Sequence, residues 1–303
     1  MFLFHIFQSV IFPVFVVIAL GFLYARVNAV DVRPFTRLAW NLTGPCLAFA
    51  SLAKTTIPDD DFARIFVFVV LTTLALWPVS AACANWLGLD RPTSSSFQLS
   101  VAFGNVVNYG FPVLLFAFGQ AGVERGVIVM TGNQVMLATL AVFIASRGRS
   151  DWRQSMKNVF RVPMLYASIL GFAVNRLGVT IPGPVFEPIR MLGEINVVFM
   201  LVILGMQLAQ VKLQDGRKAI GVAVGLRLLG GAAIGAVLAV ALGMQGLTYS
   251  ASIVEAGVPT AVYSVIIATE YDVAPGFAAA TILITTLLSM GTLTVILALL
   301  GVR

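Results

Sequence analysis

Apolar runs of about twenty residues follow one another along almost the whole chain, separated by brief polar breaks. A helix needs about 20 apolar residues to cross the hydrocarbon core of a bilayer, so each run is a candidate span. The runs fall at 4–25, 35–55, 62–87, 94–119 and 123–146, then at 159–178, 185–210, 217–243, 248–270 and 275–301. One connection is clearly polar: "RGRSDWRQSMKN", Arg147 to Asn158, at the midpoint. The pattern predicts an all-α integral membrane protein of ten transmembrane helices. Five lie in 1–146, a basic linker occupies 147–158, and five lie in 159–303.

The two halves echo each other. Pro13, Gly21, Phe22 and Arg26 form P-x7-G-F-x3-R, and Pro163, Gly171, Phe172 and Arg176 form the same pattern 150 residues later. Gly110-Phe111-Pro112 recurs as Gly257-Val258-Pro259 at a spacing of 147. Two matches at nearly one spacing predict an internal repeat. Because five is odd, the second copy enters the membrane from the opposite side, giving the five-plus-five inverted repeat of many secondary transporters.

Composition narrows the class. The chain is 59% hydrophobic and 11% charged, with a mean hydropathy of +0.96, whereas soluble domains run at roughly 25% charged. The net charge of +6 is spread over the connections, which suits lipid headgroups and topology rather than nucleic acid. Arg26, Arg33, Arg37, Arg91 and the linker arginines would share one side, while Lys54, Arg64, Arg125, Arg176 and Arg190 would face the other. That excess places both termini outside. The first basic residue is Arg26, so the opening run reads as a retained helix rather than a cleaved signal peptide. One His and two Cys within apolar runs assemble neither a metal site nor a nucleophile triad. No enzyme and no cofactor are expected.

Polar residues at membrane depth then stand out. Proline inside a helix removes an amide hydrogen and clashes with the carbonyl four residues back, so Pro112 with Gly110, and Pro259 with Gly257, predict two broken helices. The expected limbs are 94–107 and 112–119, then 248–256 and 260–270. Freed backbone at that depth survives only buried in protein or lining a wet cavity. Helix N-termini at such breaks favour anions, so the pair predicts an anion site. Asn105 and Asn108 share a helix face beside the first break. Glu255 stands to Pro259 as Asn108 stands to Pro112. An intramembrane carboxylate is functional by default: Glu255 either carries a coupling ion or pairs with Arg227 and braces the fold. Glu194 and Arg227 carry the same two readings, with bracing favoured. Asn41 and Thr43 ahead of Pro45, and "TGNQ" (Thr131 to Gln134), either line the site or bond between helices. Trp40, Trp77 and Trp86 read as interface anchors or packing.

The runs "GNVVNYGFP" in span four, "MLGEINVVFMLVILGMQLA" in span seven and "EAGVPTAVYSVIIATEYDV" in span nine resemble the auxin efflux carrier family, whose bacterial members include malonate and other carboxylate permeases. The resemblance covers the whole chain. It implies spans 1, 2, 6 and 7 as a scaffold, often a homodimer interface, with spans 3–5 and 8–10 as a mobile transport domain working as an elevator. It implies Asn105 as a binding amide before the first crossover, Asn133 and Gln134 as an amide pair lining the pocket, and Thr43 as a scaffold hydroxyl facing the substrate. Val107, Asn108, Glu194, Val198 and Glu255 depart from the family's usual residues. The short basic linker suits a bacterial inner-membrane protein.

The expected function is secondary transport of a small organic anion, a mono- or dicarboxylate. Thr43, Asn105, Asn108, Asn133, Gln134 and Glu255 would form the site, with proton or sodium coupling. The rivals are a sodium-coupled symporter of the bile-acid type, with Glu255, Asn108 and Thr260 among its ligands, and a membrane sensor or assembly subunit that binds without moving its ligand.

Overall fold

The computed structural model describes residues 2–28, 30–146, 163–210 and 217–302. The linker 147–158, the start of the sixth run and Lys212 lie outside the described residues. The described chain is helical, without strands. Its helices are α1 (Leu3–Asn28), α2 (33–53), α3 (Asp59–Trp86), α4 (Arg91–Ala102), α5 (Val106–Ser146), α6 (Pro163–Arg176), α7 (Gly183–Ala209), α8 (Arg217–Ala241), α9 (Gly246–Ala256), α10 (Tyr263–Glu270) and α11 (Pro275–Leu299). Six of them, α1, α3, α5, α7, α8 and α11, have the length and apolarity to cross a membrane.

Three of the prolines are carried inside these helices by local widening. The residues just before Pro13, Pro45 and Pro112 donate five positions back, Phe12 to Phe7, Gly44 to Ala39 and Phe111 to Val106, closing π turns. A wider turn separates the pyrrolidine ring from the carbonyl it would otherwise strike. Gly119, at φ 66° and ψ −159°, bends α5 into two limbs, a left-handed conformation that glycine adopts cheaply. The aspartates Asp59, Asp60 and Asp61 open α3 and complement its positive end.

α7 packs on α1 and α2, and α6 on α2. A second group joins α3 to α4 and α5, α9 to α5 and α8, and α11 to α4, α8 and α10. The echoed motif has a common use in the first group. Gly21 of α1 lies against the Val202 backbone of α7, and Gly171 of α6 lies against the Phe49 backbone of α2. Small residues allow such close approach between membrane helices. In both copies the arginine stacks on the motif phenylalanine, Arg26 at 5.3 Å from the Phe22 ring and Arg176 at 4.8 Å from Phe172.

Candidate functional site

The first interruption differs from the expected one. Gly110 and Pro112 lie inside α5, in and just after its π turn, and the chain leaves helical geometry five to nine residues earlier, at Phe103 to Asn105. The second interruption, between Ala256 and Tyr263, does contain Gly257 and Pro259. The G-x-P echo therefore marks two different structural positions.

The two interruptions lie against each other. Gly104 and Thr260 form an antiparallel bridge. The Asn105 amide donates to the Pro259 carbonyl at 2.7 Å, and the Ala261 amide donates to the Phe103 carbonyl at 2.9 Å. Proline suits position 259 because only its carbonyl is needed there. Carbonyls in the last turn of α4, where intrahelical donors run out, are served from across the crossing. The Ser264 hydroxyl donates to Leu99 at 3.1 Å, and the Thr260 hydroxyl to Ser100 at 2.8 Å.

Arg227, in a π turn of α8 and 2% exposed, completes this arrangement. Its guanidinium donates to Val101 of α4 and Val258 at 3.1 Å each, and to Ala256, the last residue of α9. One cation thus holds the negative ends of two helices. Arg227 does not reach the Glu255 carboxyl: neither oxygen of Glu255, 3% exposed, has a hydrogen-bond partner. Of the two readings of Glu255, the hydrogen-bonded pair with Arg227 is not formed; Arg227 bonds helix-end carbonyls instead. Glu194 lies on an outer face of α7 and pairs with Arg190.

On the opposite side of the crossing, the first turns of α5 and α10 converge on a narrow cleft. Asn105, Val106, Val107, Asn108, Ala261, Val262 and Tyr263 line it together with Asn133 and Gln134 from the second limb of α5. Thr36 and Trp40 of α2 and Gln207 of α7 close the other wall. Trp40 meets Tyr263 edge-on, with ring centroids 4.9 Å apart. The Asn105 side-chain amide has no acceptor, and the Gln207 side-chain carbonyl has no donor. The cleft continues into a cavity of about 930 Å³ bordered by Arg33, Arg37, Asn41, Gln210 and Glu270.

The structure therefore gathers Asn105, Asn108, Asn133 and Gln134 around one cleft and leaves two expected residues out. Thr43 donates to Asn196 at 2.7 Å and is not part of the lining. Its place on α2 is taken by Thr36 and Trp40, about two turns and one turn earlier, because the π turn at Ala39–Thr43 alters which face meets the cleft. Glu255 faces a separate small cavity on the far side of the crossing. Trp40, expected as an anchor or packing residue, lines the cleft, as do the unanticipated Thr36, Gln207 and Tyr263. A glutamine in the otherwise apolar "LGMQLA" was the available signal for Gln207.

Comparison with known families decides the class. A family described as "Membrane transport protein" matches residues 5–156 and 149–297, nearly the whole chain. The chain belongs to that family. Among relatives of this transporter, an uncharacterized transporter of Methanothermobacter thermautotrophicus is 25% identical over 92% of this chain and 94% of its own length. A putative malonate transporter of Rhizobium meliloti is 26% identical over 94% of this chain and 93% of its own. Auxin efflux carrier component 3a of Oryza sativa is 30% identical over 41% of this chain and 20% of the rice protein. Transport across a membrane, by a multi-pass protein of the auxin efflux carrier type, is the activity these matches assign.

Proposed function

We propose that this transporter moves a small organic anion, a mono- or dicarboxylate of malonate size, through the cleft between the crossing and helices α2 and α7. One observation carries the reading: the unpartnered side-chain amide of Asn105 sits at the start of α5, where first-turn amides and a positive helix end also face the cleft. The start of α10 adds a second positive end. Asn133 and Gln134 would hold the second carboxylate oxygen or a second carboxylate. Arg33 and Arg37 at the mouth of the cavity raise the local concentration of anions. The Rhizobium relative, named a putative malonate transporter, favours the same substrate class.

The mechanism that fits is alternating access by an elevator. Helices α1, α2, α6 and α7 form the scaffold, and α3–α5 with α8–α11 form the moving domain that carries the crossing. The matching roles of Gly21 and Gly171 in close helix contacts, and of Arg26 and Arg176 stacked on Phe22 and Phe172, support a ten-span inverted repeat. The cavity opens on the arginine-rich side, which the positive-inside rule makes cytoplasmic, with both termini on the outer face of a bacterial inner membrane. The opposite side is closed by contacts that join the two groups: Arg176 of α6 with Asp59 of α3, and the Thr55 hydroxyl with Glu124 of α5 at 3.4 Å. A homodimer through the scaffold fits the same scheme. Counterflow of a panel of labelled carboxylates in proteoliposomes tests the reading: exchange of malonate or a close analogue supports it, and inertness toward the whole panel refutes it.

A further inference from the structure

Glu255, next to last in α9, sits where an ionised carboxylate finds no hydrogen-bond donor. Both oxygens lack hydrogen-bond donors, and the group packs flat on Gly110 of α5, where even a methyl group would collide with all three carboxyl atoms. The same carboxyl borders a cavity of about 30 Å³ lined also by Thr72 and Thr73 of α3, Gly104, Asn133 and Arg227. That volume is about that of one water molecule. The Thr72 hydroxyl likewise has no partner.

Arg227 acts on Glu255 through space, but its hydrogen bonds go to backbone carbonyls instead. Each helix C-terminus carries roughly half a negative charge, and Arg227 bonds the ends of α4 and α9, so much of its positive charge is offset there. Among the described residues, Arg227 is the charged group that lines the Glu255 cavity. The other titratable groups on helices packed against α9 lie elsewhere. Arg125 and Glu124 of α5, with Asp61 of α3, gather about the Thr248 end of α9, where Arg125 bonds Thr248 at 3.1 Å. Asp59, Asp60 and Arg64 sit at the start of α3, with Cys83 near its end, and Arg217 and Lys218 open α8. Tyr109 of α5 has its hydroxyl 2.9 Å from Ser289, and α11 carries no titratable side chain. An ion left uncompensated in the interior costs several kcal/mol.

We propose that Glu255 is a proton-binding site that couples transport to the proton gradient. The proton adds to one carboxyl oxygen, converting carboxylate to carboxylic acid, and leaves by the same route; no other bond changes. The neutral acid tolerates the dry contact with Gly110. The carboxylate must draw water or the Thr72 hydroxyl toward itself, which loosens α9 from the first turn of α5. Gly104, Val106 and Asn133 line both this cavity and the substrate cleft, so protonation is felt where the anion binds. The coupling step rests on the organic-anion reading; proton binding itself does not.

The test has two arms. In the first, infrared difference spectra of the purified protein are recorded across a pH titration without substrate. The expected result is a carboxylic-acid carbonyl band that disappears as pH rises, is missing in Glu255→Gln, and shifts its midpoint in Thr72→Val. A band absent from the wild type at every pH, or one unaffected by both substitutions, overturns the proposal. Displacement of the band by sodium at constant ionic strength also overturns it, in favour of a sodium site. In the second arm, an inward proton gradient should raise malonate accumulation by the wild type, whereas Glu255→Gln should accumulate equally with and without the gradient. A gradient response retained in Glu255→Gln overturns the coupling. If no carboxylate exchanges at all, the organic-anion reading fails, and the infrared titration still decides Glu255.

Discussion

Gly110 of α5 presents its bare Cα to the carboxyl group of Glu255 on α9, a contact between residues 145 positions apart with no room for a side chain. Overpacking a closed interior costs about 1–3 kcal/mol, so Gly110→Ala should lower the melting temperature of the purified protein. Adding Glu255→Ala should restore part of the loss, because it removes the group that the new methyl strikes. Strictly additive effects in the double mutant would show that the contact is not the cause.

Arg227→Met removes the donor shared by Val101, Ala256 and Val258. Removing one partner of a buried charged arrangement costs about 3–5 kcal/mol, so yield and thermal stability should fall sharply. Arg227→Lys should not rescue, because an ammonium lacks the planar fork that reaches several carbonyls at once. Normal melting of either variant would count against the capping role.

Asn105→Ala deletes the unpartnered amide in the cleft while leaving the Asn105–Pro259 backbone bond intact. A hydrogen bond to a charged group is worth about 1.5–3 kcal/mol, so half-saturation for malonate counterflow should rise about tenfold to a hundredfold. Expression and melting should change little. Full exchange at the wild-type concentration dependence would refute the assignment.

Thr43→Val supplies the contrast. Its hydroxyl bonds Asn196 within the α2–α7 contact, so the variant should lose about 1 kcal/mol of stability and keep its substrate affinity. A weakened affinity without loss of stability would place Thr43 back in the site.

Arg33→Gln with Arg37→Gln removes two charges from the mouth of the cavity. Uptake at low ionic strength should slow by about tenfold or more, and the difference should vanish near 1 M salt, where screening acts within about 3 Å. A salt-independent loss would mean that the arginines touch the bound anion instead of steering it.

Much of the architecture was legible along the chain. Apolar runs mark membrane-crossing segments because the hydrophobic demand of the bilayer is met residue by residue. Polar residues such as Asn105, Asn133 and Gln134 stand out against that background. The cleft was legible only in part: Thr36 and Trp40 of α2, Gln207 of α7 and Tyr263 of α10 reach it from three distant helices, and of these only Gln207 carried a local signal. Thr43 came from the family resemblance, which carries over a position in the chain but not the local phase of the helix; the π turn before Pro45 shifts that phase.

The sequence by itself determined that the protein is a helical membrane transporter with interrupted segments, since hydrophobic length and the chemistry of proline, glycine and buried amides are local properties. Tertiary structure alone decided where the first interruption falls. Pro112 is absorbed by a π turn, while Phe103 to Asn105 leave the helix because the 259–261 segment offers them hydrogen bonds from across the fold. It also decided that Arg227 serves helix ends and leaves Glu255 unpaired. Such assignments depend on which groups meet in space, and the free energy of a buried charge or amide is set by those neighbours.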